Sequence, residues 1–163
     1  MNGFISKKKM KGESMRVLGI DPGISGALVV MEDGQPIEWM HMPTHLIGST
    51  SRVTCSALGN FINGCRVDVA VIEKVGAMPG QGVASMFSFG HAVGSIMGVL
   101  GAFIIPTIHV TPQMWKKEFG ILNKDKDASR SKAIEFWPGW RDLDAKIKGQ
   151  ALADAALIAR YYK

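Results

Sequence analysis

The amino-acid sequence predicts an α/β fold in which helices flank a sheet. Two short apolar runs, residues 17–20 and 27–31, are separated by an Asp-Pro-Gly turn, which is typical of neighbouring strands. A β-branched run at residues 67–73 follows a stretch whose apolar residues recur at helical spacing. A further helical stripe of apolar residues runs through residues 146–162. This mixture of strands and long helices predicts the class.

Length and charge limit the kinds of function to consider. The 163 residues suffice for one domain with a sizeable core, and 47% hydrophobic with 20% charged residues is ordinary for a soluble protein. The net charge of +5 favours a polyanionic partner such as nucleic acid, although basic residues alone do not prove one. We expect residues 1–15 to form a basic, disordered arm and residues 16–163 to form the folded domain.

The thiols and histidines do not suggest a disulfide or a zinc site. Cys55 and Cys65 are not preceded by a secretory signal, so we expect reduced thiols in a cytosolic protein. These cysteines and the four histidines lack zinc-ligand spacing, which argues against a structural zinc.

The first strand ends at a carboxylate, Asp21. A Pro-Gly turn follows it, and Asp33-Gly34 then forms a hairpin turn into a third strand at residues 36–42. Asp21 therefore stands at the mouth of the first strand. It is either a turn-initiating Asp or a metal-binding carboxylate, and the second interpretation needs partners elsewhere in the chain.

A second carboxylate, Glu73, ends the strand at residues 67–73 in the same way. Before it, residues 44–54 are polar and predict a loop, and residues 51–64 predict a helix that stops at Gly64. If the two strands are parallel neighbours, Asp21 and Glu73 converge at one edge of the sheet. A salt bridge at the strand end is the alternative role for Glu73.

Residues 83–105 are almost wholly uncharged and follow a loop at residues 77–82 that we expect to be mobile. The length allows a membrane span, but serines, a histidine and four glycines argue against one. We expect a buried helix whose glycine face another element or a second subunit approaches closely. The four glycines are Gly90, Gly94, Gly98 and Gly101.

A strand at residues 106–110 leads into a helix with Thr111 as N-cap and Pro112 as its first residue, running to Gly120. A basic segment follows at residues 123–132, and its C-terminal part opens a helix that continues through residues 133–137. The basic residues form either a solvated charged face or a strip that contacts phosphates.

The third carboxylate, Asp154, lies in the predicted helix at residues 146–162 among small apolar residues. A carboxylate in such surroundings is costly unless it is paired or bound to a metal. Two strand-end acids and one helix acid suit Mg²⁺, which prefers oxygen ligands and usually keeps several waters. Two such ions support phosphodiester hydrolysis.

Taken in order, these segments resemble the RuvC-type Holliday junction resolvases, and the short chain looks most like phage-encoded members. The resemblance covers residues 16–162 and is carried by five segments of the sequence. They are Gly-Ile-Asp-Pro-Gly at 19–23, Val-Ile-Glu-Lys-Val at 71–75, Phe-Gly-His-Ala-Val-Gly at 89–94, Val-Thr-Pro-Gln-Met-Trp-Lys-Lys at 110–117 and Leu-Ala-Asp-Ala-Ala-Leu at 152–157.

The resemblance implies an RNase H-like fold with a five-stranded mixed sheet, and a homodimer that cuts four-way DNA junctions with two Mg²⁺ or Mn²⁺ ions per site. It implies a cytoplasmic protein of a bacterium or phage-infected host, with no membrane partner and no nucleotide cofactor. Asp21, Glu73 and Asp154 match the metal-binding acids, and Lys116 lies near a catalytic lysine that supports the phosphate. The residues expected to bind DNA are Lys74, Met78, Lys116, Lys117, Lys124, Lys126, Arg130 and Lys132.

The sequence departs from the family at two places. Members usually carry a fourth acid about one turn before the last one, but Gln150 and Ala151 stand there. The amide oxygen of Gln150 is a candidate substitute ligand. The aromatic residue that bacterial members carry after the catalytic Glu is replaced by Gly76, with Met78 as the nearest bulky residue.

Three other functions are compatible with the sequence. Residues 21–26 resemble the phosphate loop of sugar kinases, actin and heat-shock ATPases, but those proteins need two lobes and this chain supplies one. A non-catalytic branched-DNA-binding protein would account for the missing acid. A nuclease acting mainly on forks and flaps would use the same acids as a junction nuclease.

Overall fold

A five-stranded mixed sheet organises the structure, a computed structural model that describes residues 14–74, 76 and 80–162. The strands are β1 Arg16–Asp21, β2 Ala27–Glu32, β3 Gln35–His41, β4 Thr44–Ile47, β5 Thr50–Val53, β6 Val69–Glu73 and β7 Thr107–Val110. The helices are α1 Cys55–Cys65, α2 Val83–Ala102, α3 Pro112–Glu118, α4 Ala128–Phe136 and α5 Lys146–Tyr161, with a 3₁₀ turn at Arg141–Asp144.

The strand order in the main sheet is β3-β2-β1-β6-β7. β2 runs antiparallel to both β1 and β3, whereas β6 runs parallel to β1 and β7 parallel to β6. Asp33 and Gly34 both have positive φ, which is what the tight hairpin turn between β2 and β3 requires. Within the described residues, the predicted five-stranded mixed sheet is therefore confirmed.

Two apolar layers cover the sheet, one on each face. Helix α5 packs across β1 and β2, and α1 and α2 pack on the opposite face. The contact with α5 is close because β1 carries Gly19 where a Cβ would lie 2.0 Å from the carbonyl oxygen of Ala155. The small residues of α5 thus bring Asp154 against the sheet.

The predicted loop at residues 44–54 is wrong. Strands β4 and β5 pair there in a separate antiparallel hairpin, from Thr44 opposite Val53 to Ile47 opposite Thr50. Gly48 has a φ of 61° and allows the turn between them. Because β5 takes residues 50–53, helix α1 begins at Cys55, four residues later than predicted.

The predicted burial of the glycine-containing helix is also wrong. In α2, all of whose residues are described, Ala92, Ile96 and Leu100 are buried, and the other residues are half-buried or exposed. A Cβ added at any of the four glycines would meet no other atom within 4 Å. Only one side of a helix packs against the face of a sheet, so the side of α2 that carries the glycines stays exposed. By length and composition α2 would also be able to cross a membrane.

The predicted start of α3 agrees with the structure, because the Thr111 side chain accepts a hydrogen bond from the Met114 N–H and Pro112 is the first helical residue. Cys55 and Cys65 are free thiols. Residues 1–13 of the predicted arm at residues 1–15 lie outside the described residues, and so does Met78.

Candidate active site

Two carboxylates lie side by side at one edge of the sheet. Strands β1 and β6 run parallel in a register that places Ile20 opposite Ile72, so the next residues, Asp21 and Glu73, end neighbouring strands. Asp154 of α5 completes the group, because its charge acts on both of the other carboxylates. We call this edge, where β1 and β6 end, the catalytic edge.

The turn after β1 follows Asp21 directly and depends on glycine. Gly23 has a φ of 152° and its carbonyl accepts a hydrogen bond from the Gly26 N–H at 3.2 Å. A Cβ at Gly26 would lie 2.0 Å from the carbonyl oxygen of Asp21. A larger residue at Gly26 would therefore displace the backbone that carries the carboxylate.

Burial and mutual repulsion disfavour the ionised forms of these acids. Burial raises the pKa of Asp21 to about 8, and the charges of Asp154 and Glu73 add to the shift. Burial also raises the pKa of Glu73 and of Asp154. The positive charge of Lys116 opposes the rise at all three carboxylates. The structure therefore brings together the four residues that we predicted to be catalytic.

Trp115 fixes the orientation of Glu73 and was not predicted from the sequence. Its indole Nε1 donates a hydrogen bond of 2.8 Å to Glu73 Oε1, which opposes the rise in the pKa of that acid. Trp115 is fully buried, and the Lys116 ammonium lies 5.1 Å from the centre of its ring. In the sequence, Trp115 could have been suspected because it directly precedes Lys116, which was predicted to be catalytic.

Gln150 lies one helical turn before Asp154 and is hydrogen-bonded to it. Gln150 Nε2 donates to Asp154 Oδ1 at 3.2 Å and to Ser129 Oγ at 2.7 Å. Hydrogen bonding by Ser129 and by Gln150 favours the ionised form of Asp154 and opposes the rise in its pKa. Ser129 is 95% buried and was also missed by the sequence reasoning. Among the described residues, Gln150 Oε1 and Trp140 Nε1 are the buried side-chain polar atoms without a hydrogen-bond partner.

Among the described residues, no three His, Cys, Asp or Glu side chains are close enough together to hold a metal ion. The three carboxylates thus share one electrostatic site without forming a closed coordination sphere. Their oxygens are nevertheless the ligand type that a divalent cation prefers, and a cation would offset the burial and the mutual repulsion that raise the pKa of Asp21. The unpaired Oε1 of Gln150 supplies a further oxygen beside Asp154.

Apart from Met78, which lies outside the described residues, the predicted DNA-binding residues fall into three groups. Lys116, Lys124 and Lys126 line a cavity of 490 Å³ that also contains Gln150 and Asp154. In the second group, the Arg130 guanidinium forms a two-point ion pair with Asp127 and donates to the Leu143 carbonyl, and Lys132 pairs with Glu135. Lys74 and Lys117 form the third group and are exposed.

A second cavity, of 610 Å³, lies near Arg160 and the β2–β3 turn. That is the opposite edge of the sheet, because β1 begins there with Arg16 opposite Glu32. None of the predicted site residues lines this cavity. The candidate active site is therefore at the catalytic edge.

Comparison with solved structures identifies the architecture. T. thermophilus RuvC in complex with Holliday junction substrate has a TM-score of 0.62 and 18% identity over 91% of this chain and 92% of that chain. The chain has the RuvC fold. A further Thermus thermophilus RuvC structure gives 0.56 and 16% identity over 91% of this chain and 95% of the other.

A third structure, the yeast mitochondrial Holliday junction resolvase, matches the RuvC-like chain with a TM-score of 0.46 and 14% identity over 91% of this chain and 77% of that chain. No protein-family model matches the sequence. No curated protein matches it either. The resemblance to RuvC that the ordered segments predicted is confirmed at the level of the fold.

Proposed function

We propose that this protein is a structure-selective endonuclease that hydrolyses phosphodiester bonds in four-way DNA junctions. The observation that carries the proposal is the convergence of Asp21, Glu73, Asp154 and Lys116 at the catalytic edge of a RuvC fold. The T. thermophilus RuvC structure with Holliday junction substrate supports the choice of substrate. Acids with strongly raised pKa values are also more common at functional sites than elsewhere.

The side chains at this edge have distinct roles in the proposed hydrolysis. A water oxygen bonds to phosphorus, one P–O ester bond breaks, and the leaving oxygen receives a proton. We assign the contact with the phosphate to Lys116, because it lines the same cavity as Asp154 and its positive charge acts on all three carboxylates. Trp115 and Gln150 hold Glu73 and Asp154 in place through the hydrogen bonds described above.

We propose Mg²⁺ or Mn²⁺ as the cofactor, two ions per site, held by Asp21, Glu73 and Asp154, with Gln150 as a further oxygen ligand. When bound, such ions supply the charge that stabilises the attacking and leaving oxygens. Lys116, Lys124 and Lys126 line the adjoining cavity and would neutralise the DNA backbone. Lys74 and Lys117 add exposed positive charge.

We further propose a homodimer that forms through α2. With about 3.6 residues per turn, the glycines lie on the side of the helix opposite Ala92, Ile96 and Leu100, which face the sheet. Val83 and Phe87 extend the same solvent-facing stripe and are both exposed. An apolar stripe with glycine at every third or fourth position lets two helices approach closely. Two copies would supply the two active sites that symmetric cutting of a junction requires.

A non-catalytic branched-DNA-binding protein is the second candidate, because an amide rather than an acid stands at Gln150. A cleavage assay distinguishes the candidates. We expect the wild-type protein to cut a synthetic four-way junction in Mg²⁺ or Mn²⁺, and to cut a fork or flap and plain duplex more slowly at the same salt concentration. Binding without cleavage in either metal would favour the non-catalytic candidate, and faster cutting of forks or flaps would move the substrate to that class.

A further inference from the structure

The β4–β5 hairpin leaves the main sheet at the catalytic edge. The last residue of β3, His41, lies opposite Ala27, which in turn lies opposite Asp21. The next residue, Met42, donates its N–H to the carbonyl of Gly26 at 2.9 Å. The hairpin therefore begins beside the turn that carries the first catalytic carboxylate.

The base of the hairpin is fixed to the body of the protein. Met42 and Val53 are buried in the core layer that also contains α1 and α2. Arg52 Nη1 donates a hydrogen bond of 3.0 Å to Ser88 Oγ of α2, and its guanidinium lies 5.8 Å from the centre of the Phe87 ring. A fixed base allows the tip to act as a rigid projection.

The tip of the hairpin is apolar on both faces. Leu46 and Ile47 are 68% and 61% exposed, and no atom lies within 4 Å of a Cβ added at the neighbouring Gly48. Successive residues of a strand point to opposite faces, so these two side chains point in opposite directions. A flat protein partner would cover one of them, whereas two stacked base pairs would cover both.

The charge around the tip suits DNA. Residues 39–67 contain no Asp or Glu, and residues 74–117 contain none either. The first range includes Arg52 and the second includes Lys74 and the basic end of α3. These two segments therefore attract a polyanion. The further acids near this edge come from other segments: Asp125 lines the cavity beside Asp154, and Asp142 acts on His41.

We infer that Leu46 and Ile47 form an apolar wedge that enters between base pairs at the branch point of the DNA. The inference rests on the proposed junction nuclease, since DNA held at the catalytic edge is what brings a branch point to the hairpin. Apolar side chains that enter between base steps unstack them, and junction centres and kinked steps are where unstacking is easiest. The wedge would thereby open the junction next to the scissile phosphate.

The test is the double substitution Leu46→Thr/Ile47→Thr in the full chain, because threonine is β-branched and favours strands while removing the apolar surface. The substrate is a four-way junction with 2-aminopurine at the branch point, whose fluorescence rises when the base unstacks. In EDTA, wild-type protein should raise this fluorescence and the double variant should not. Cleavage of the paired junction should fall about tenfold or more, while a junction with unpaired bases at its centre should be cut normally.

Two further variants separate the wedge from a structural role. Leu46→Phe should keep the fluorescence rise, because an aromatic ring stacks on bases. Ile104→Ser removes an equally apolar side chain, 87% exposed before β7 at the opposite edge, and should behave as wild type.

Three outcomes would overturn the wedge. The first is a full fluorescence rise with the double variant, and the second is the loss of the fluorescence rise with Ile104→Ser. The third is a shift from dimer to monomer in the double variant, because the hairpin tip would then contact a second copy of the protein instead of DNA. Failure of the wild-type protein to cut either junction would overturn the nuclease proposal but not the wedge, since the fluorescence assay needs no cleavage.

Discussion

Asp21 is the residue at which the fold and the proposed chemistry conflict most directly. Its carboxyl has a pKa of about 8 because it is buried and faces two further acids. In the absence of a cation, ionising it works against the folded state. The protein therefore keeps a destabilising group at the position that the proposed hydrolysis needs.

The first prediction concerns this conflict. The folded carboxyl binds a proton more tightly than the unfolded one, whose pKa is near 3.8, so stability falls as the pH rises between 3.8 and about 8. Asp21→Asn removes the charge and should stabilise the metal-free protein by on the order of 6 kcal/mol above that range. Urea unfolding in EDTA across the pH series measures this. A gain of the same size at acid and alkaline pH would contradict the electrostatic cause.

The second prediction concerns Gln150, which stands where the resemblance to the RuvC-type resolvases implies an acid. Gln150→Glu adds a carboxylate beside Asp154, so it should lower the melting temperature in EDTA and tighten Mn²⁺ binding about tenfold, measured by calorimetry. Ser129→Ala is the matched control, because it removes a hydrogen-bonding partner of Gln150 without adding charge. Tighter Mn²⁺ binding in both variants, or in neither, would contradict a ligand role for position 150.

Sequence reasoning found the charged residues of the site but not the neutral ones. Asp21 and Glu73 could be predicted because each interrupts an apolar strand at its end, and Asp154 because it interrupts an apolar helix. Trp115 and Ser129 act through partners 42 and 21 positions away. No local pattern reports such contacts, because they arise only when α3 and α4 pack against the sheet and α5.

At the scale of elements, two predictions were wrong, the loop at residues 44–54 and the burial of α2, and their causes differ. Residues 44–54 are polar, and strands of four residues are too short to show a period of two. In α2 the composition is apolar all round, so periodicity does not distinguish the stripe that faces the sheet from the stripe that faces solvent. Strongly periodic elements such as α5 were predicted nearly to the residue.

The third prediction tests the close contact between β1 and α5. Gly19→Ala would place a Cβ 2.0 Å from the Ala155 carbonyl oxygen and 2.7 Å from the Ala159 backbone nitrogen. The two elements must then separate, which should cost about 3 kcal/mol of unfolding free energy in a denaturant titration. Gly64→Ala is the control, since nothing lies within 4 Å there and helix propensity improves. An equal stability change in both would contradict the close contact.

The fourth prediction tests the proposed dimer helix. Gly94→Leu meets no atom of its own chain, so the monomer should fold, and the exchange of glycine for leucine should add about 0.5–1 kcal/mol of helix stability. The bulky side chain should nevertheless keep two α2 helices apart. Light scattering over a concentration series should show a raised dimer dissociation constant for Gly94→Leu and little change for Gly94→Ala. A wild-type dimer that Gly94→Leu leaves intact would move the interface elsewhere.

At the scale of the whole molecule, the sequence predicted a five-stranded mixed sheet through its resemblance to the RuvC-type resolvases, but not the order of the strands. It also predicted that Asp21 and Glu73 meet if their strands are parallel neighbours, and β1 and β6 are parallel neighbours. It did not predict the projection of β4–β5 at that edge, since this depends on the hydrogen bond from Met42 to Gly26 across the sheet. Two of the segments that meet at the catalytic edge, residues 39–67 and 74–117, carry no Asp or Glu.

The central claim, a metal-dependent junction nuclease built on Asp21, is tested most directly by cleavage and binding assays on one four-way junction. The wild-type protein should cut it in Mg²⁺ or Mn²⁺ and not in EDTA. Asp21→Asn should bind the junction with unchanged affinity and lose cleavage by at least about a hundredfold, because the site would lose one of its three carboxylates. Normal cutting by Asp21→Asn, or binding by the wild-type protein with no cutting in either metal, would contradict the claim.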